Sequence, residues 1–137
     1  MNKSNNIFQK FVLITGILNF PIGIGMMIQA ISNKNPEILI TNAVSGAFIL
    51  FAGATLIWAS KDLKSRIPIV VWNGLVRMAG VLLVLYASTI GNVPKEMLVI
   101  SAMDFALAII YVIGSKKITQ IPFSKLILGK VKNQLKS

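Results

Sequence analysis

The chain contains no cysteine and no histidine, and only four of its 137 residues are acidic. Without cysteine there is no disulfide framework, thiol nucleophile or zinc–thiolate site, and redox chemistry says nothing about compartment. Without histidine the commonest general base and metal ligand are missing. Glu37, Asp62, Glu96 and Asp104 are too dispersed for a catalytic carboxylate pair or an oxygen-rich metal site. No H-E-x-x-H, P-loop, G-x-S-x-G or C-x-x-C pattern occurs, and Gly23-Ile24-Gly25 lies inside an apolar run rather than after a strand. The expectation is a non-enzymatic protein with neither metal nor cofactor.

Charge of both signs is scarce. Charged residues make up 13% of the chain and hydrophobic ones 55%, where soluble domains carry about 25% charged residues. Mean hydropathy is +0.74. A surface so poor in charge is expected to be solvated by lipid. Four apolar segments, at 11–31, 38–59, 67–90 and 97–115, each approach the roughly 20 residues that cross a hydrocarbon core. The first is too long for the hydrophobic region of a signal peptide and has no small residue at Ile28, so a retained helix is expected. Polar turns at 32–37, 60–66 and 91–96 separate the segments, with Pro36, Pro68 and Pro94 at or beside their starts. Connections this short favour antiparallel neighbours. The expected fold is an all-α integral membrane protein, an antiparallel four-helix bundle over 1–117 followed by a basic tail over 118–137.

The basic residues are distributed unevenly. Eleven lie before the first segment, in the middle turn or after the last segment; only Lys34 and Lys95 lie in the other two turns. The positive-inside rule then predicts a multi-pass protein of the cytoplasmic (inner) membrane with both termini in the cytoplasm. The net charge of +10 is explained by topology and anionic lipid, and nucleic acid is not expected as a partner.

In the tail, Phe123, Leu126, Ile127, Val131 and Leu135 recur at helical spacing from Pro122 onward. Lys125, Lys132 and Lys136 fall opposite, and Lys130 borders the apolar stripe. The pattern predicts an amphipathic interfacial helix whose lysines bind anionic headgroups. A helix that docks on a protein partner is the alternative.

Arg77 and Asp104 are the only charged residues inside the four apolar segments. On the third segment Asn73, Gly74, Arg77 and Gly80 share a face; on the fourth Ser101, Asp104, Ala108 and Tyr111 do. The first offers Gly16, Asn19 and Gly23, and the second Asn42, Gly46 and Gly53. Such stripes suit close helix packing. They also suit a polar cavity lined by Asn19, Asn73, Arg77, Asp104 and Tyr111. The depths of Arg77 and Asp104 differ by roughly 5 Å, within reach of an ion pair, which would relieve the cost of both charges.

Four spans in a short chain invite comparison with small multidrug transporters, but those carry an acidic residue in the first helix and this chain has none there. Over 40–115 the chain resembles small four-helix bacterial inner-membrane proteins of uncharacterised function. The resemblance rests on Lys61-Asp62-Leu63-Lys64-Ser65-Arg66, Asn73-Gly74-Leu75-Val76-Arg77 and Ser101-Ala102-Met103-Asp104-Phe105, and it implies no activity. The expected role is an accessory or interaction protein that packs against other membrane proteins or further copies of itself. A small oligomeric transporter or channel for a polar or ionic solute is the alternative, and an integral-membrane enzyme comes third.

Overall fold

The structure, a computed structural model, describes residues 3–131. It is all-helical over those residues, with α1 (Lys3–Ile31), α2 (Pro36–Lys61), α3 (Leu63–Ile90), α4 (Lys95–Thr119) and α5 (Phe123–Ile127). The first four are each long and apolar enough to cross a membrane. They enclose the four expected segments and extend them into the flanking polar residues. The chain divides into two compact units, Met1–Leu63 and Lys64–Ser137.

Local chemistry accounts for the helix ends. Asn35 caps α2, its side-chain oxygen accepting from the N–H groups of Glu37 and Ile38 at 3.0 and 3.4 Å, with Pro36 in the first helical position. Glu37 and Glu96 lie in the first turns of α2 and α4, and Lys61, Lys116 and Lys117 in the last turns, as the helix dipole favours. Three hydroxyls of the long helices bond back to their own helix. Thr15 donates to Phe11 and Val12 carbonyls, Thr55 to Ala52, and Ser60 to Ile57, so these three need no water.

The turn expected at 60–66 is almost absent. Only Asp62 stands outside a helix, and Lys64, Ser65 and Arg66 form the first turn of α3. Lysine, arginine and leucine are good helix formers, so polarity there does not mean a loop. Pro68 consequently lies inside α3 rather than at its start. Pro21 lies inside α1, which runs through it although the ring removes one helical donor.

In the first unit α1 and α2 pack antiparallel along a seam of small residues. A β-carbon on Gly23 would lie 2.7 Å from the Gly46 carbonyl oxygen, and one on Gly53 would lie 2.7 Å from that of Gly16. The side-chain amide of Gln9 donates to the Ser60 carbonyl at 2.7 Å. The pairs Gln9–Ser60, Gly16–Gly53 and Gly23–Gly46 advance seven residues along one helix while retreating seven along the other. Ala30, next in the series, is fully buried. A strict seven-residue repeat keeps the small residues on the seam as the helices wind about each other.

The C-terminal segment differs from the long amphipathic helix expected of it. α5 has five residues and stops at Leu128, with Gly129 at φ 69°. Glycine adopts this left-handed conformation without steric penalty, and it ends the helix. Ile121, Leu126 and Val131 are buried. Leu135, Lys132 and Lys136 lie outside the described residues.

Candidate functional site

Arg77 stands in the middle of α3, among Leu75, Val76, Met78 and Val81, and Asp104 stands within the apolar body of α4. The guanidinium Nη1 of Arg77 donates to Oδ1 of Asp104 and the two form an ion pair. Their side chains are 17% and 32% exposed. The pair is thus neither sealed in a core nor free on a surface. The same two helices meet one turn away, where the backbone of Gly74 lies against the Ala108 carbonyl and the Cβ of Tyr111. The contact partners advance along α3 as they retreat along α4, so these helices too run antiparallel.

The buried face of α4 is Ser101, Ala108, Tyr111 and Ser115, alternating three and four residues around Asp104 as a packed helix requires. Ser115 continues the stripe beyond the residues named from the sequence. It is fully buried, and its hydroxyl has no hydrogen-bond partner among the described residues. Its place four residues after Tyr111 is the signal that would have found it.

Among the remaining candidates, Tyr111 is fully buried and Asn73 half-buried, both in the unit that holds the ion pair. Asn19 is 5% exposed and belongs to the other unit, where its Cβ would lie 2.9 Å from a β-carbon on Gly53. There it is a seam residue of the first hairpin. Gly80, expected on the face of Arg77, borders open space instead. The packed stripe of α3 therefore stops short of it.

Lys125, within α5, and Lys130, three residues beyond its end, are both exposed. Trp72, half exposed on α3, donates its indole N–H to the Ile127 carbonyl at 3.0 Å and ties this turn to the helix. This contact spans 55 residues, and no periodicity in the sequence announces it. Among the described residues no group of three or more acidic, histidine or cysteine side chains is arranged to hold a metal ion. Comparison with protein-family models, with curated proteins and with solved structures finds no match to the chain.

Proposed function

We propose that this chain is a multi-pass protein of the cytoplasmic membrane, with four spanning helices and both termini on the cytoplasmic side. Its role in this reading is non-enzymatic, as an accessory protein that packs against other membrane proteins or further copies of itself. Support for the membrane setting comes from four helices of sufficient length and hydropathy, whose sides expose Ile, Leu, Val and Phe throughout. The one-sided distribution of lysine and arginine supports the orientation.

The observation that carries the role is the ion pair. The only two charges within the apolar segments are spent on each other. A half-buried pair of this kind fixes how two helices meet, and its attraction is partly offset by desolvation, so it specifies geometry more than it stabilises. No further charge inside the spans remains to drive chemistry. Photocrosslinking in intact cells from α2 and α4, with identification of what is captured, tests the role. Capture of a defined membrane protein or of a second copy supports it, and monomeric protein with no adduct at any position argues against it.

One observation favours a second reading, a small oligomeric transporter. Asp104 keeps about a third of its side chain exposed, and a carboxylate at mid-depth is more stable facing water than lipid. Because the chain has no cysteine of its own, Asn73→Cys can be placed at a half-buried position one turn from Arg77. Rapid labelling by a membrane-impermeant thiol reagent would mark a wet path and favour transport. Protection there would leave a packing pair.

A further inference from the structure

The segment after α4 rearranges two charges that a continuous helix would keep apart. α5 closes with the N–H of Lys130 donating to the Lys125 carbonyl at 3.0 Å and the N–H of Gly129 donating to the Leu126 carbonyl at 3.1 Å. Together with Gly129 at φ 69°, these six-to-one and five-to-two bonds make a Schellman turn. In such a turn the residue after the left-handed glycine folds back beside the residue that opens the last helical turn, and two apolar side chains commonly meet there. Here both positions are lysine. In an uninterrupted helix these two residues would point about 140° apart around the axis. The turn instead joins their backbones directly, the Lys130 N–H on the Lys125 carbonyl.

The hook is held firmly. Ile121, Leu126 and Val131 are buried before, within and after it. The Trp72 indole satisfies the Ile127 carbonyl, one of those a helix end leaves without an intrahelical partner. Leu128, inside the turn, is 66% exposed, and Trp72, bonded to its Ile127 carbonyl, is 50% exposed, so apolar surface is open on the turn itself and beside it. Two like charges held together repel unless an anion lies between them. Their own unit has two acidic residues: Glu96 opens the far end of α4, and Asp104 is bonded to Arg77. Neither lysine has an ion-pair partner among the described residues. An anion from outside can neutralise both, and the apolar surface of Leu128 and Trp72 suits one that carries acyl chains.

Resting on the membrane reading above, we infer that Lys125 and Lys130 form a two-pronged clamp for the phosphate of one anionic glycerophospholipid, with Trp72 and Leu128 against its acyl region. Each ammonium offers three donors to phosphate oxygens. Diffuse attraction of a basic tail to a charged leaflet would need only the number of lysines. The clamp needs the turn.

The test is native mass spectrometry of the full chain in neutral detergent, titrated with phosphatidylglycerol and, separately, with phosphatidylcholine. The intact chain should take up one phosphatidylglycerol well ahead of phosphatidylcholine. Lys125→Gln/Lys130→Gln should weaken that first binding by roughly ten- to thirtyfold, the loss expected of two surface lysines. Lys116→Gln/Lys117→Gln removes the same charge from α4 and should leave it within about twofold. Gly129→Ala removes no charge but strains the turn, and should weaken binding by several-fold. Equal losses in the two double variants, or full affinity in Gly129→Ala, would overturn the clamp while leaving the broader attraction to anionic surfaces intact. Equal affinity for the two lipids would overturn both. Displacement of the bound lipid by millimolar glycerol phosphate would overturn the lipid as occupant in favour of a soluble phosphate ester.

Discussion

Gly23 and Gly46 face each other across the first hairpin so closely that a β-carbon on either would lie 2.7 Å from the carbonyl oxygen of the other. The hydrogen standing where that carbon would be points at the opposing carbonyl. Contacts of this type recur at close helix interfaces and contribute about 0.5–1 kcal/mol each. Neither backbone can yield without moving a helix.

Gly23→Ala or Gly46→Ala should therefore destabilise the hairpin by about 1–3 kcal/mol, the range for overpacking. Gly25→Ala and Gly80→Ala border open space and should be neutral or slightly stabilising, since alanine is the better helix former. Unfolding in a mixed-detergent titration reads all four. Equal effects at seam and open positions would mean that the seam does not hold the hairpin.

For the ion pair, Arg77→Leu or Asp104→Leu alone should cost stability near the lower end of the roughly 3–5 kcal/mol known for broken buried pairs, because both side chains are partly exposed. Arg77→Met combined with Asp104→Leu should recover most of that loss. The same unfolding assay, arranged as a double-mutant cycle, gives the coupling directly. Strictly additive losses would show that the two charges do not stabilise each other.

Trp72→Phe keeps the ring and removes the donor to the Ile127 carbonyl. About 1 kcal/mol should be lost locally, seen as faster amide exchange over 123–131 with the four long helices unchanged. Unaltered exchange in that segment would show that the buried Leu126 and Val131 hold the hook without help.

Orientation is open to reporter fusions. Fusions after Lys117 and within 61–66 should report cytoplasm, and fusions at 33–35 and beside Lys95 the opposite side, following the asymmetry of eleven basic residues against two. A tail that reports the outer side would reverse the orientation.

The long helices are legible in the sequence because hydropathy and length act together over twenty residues, and no tertiary contact can turn such runs into anything else. Arg77 and Asp104 stand out for the same reason, as single charges within apolar surroundings. The seam is only half legible. Gly16, Gly23, Gly46 and Gly53 show as small residues at helical spacing, but their pairing depends on the Asn33–Asn35 turn, where the Asn33 side chain accepts from Asn35 N–H at 2.9 Å. The Gln9–Ser60 bond was hidden because Ser60 reads as loop. In the tail, the apolar spacing of Phe123, Leu126, Ile127, Val131 and Leu135 continues past Gly129, and one glycine costs a helix only about 1 kcal/mol. What ends α5 is the left-handed turn at Gly129, to which Trp72 adds a distant bond that spacing does not encode.

The seven-residue repeat of the first hairpin also constrains how this chain can evolve. One residue deleted between Gly16 and Gly23 turns everything beyond it by about 100°, carrying Gly23 off the seam and a bulky neighbour onto it. Side chains facing lipid can drift freely among Ile, Leu, Val and Phe, but the intervals 9–23 and 46–60 cannot change length by a single residue. Among descendants of this chain, spacing should persist long after identity has faded.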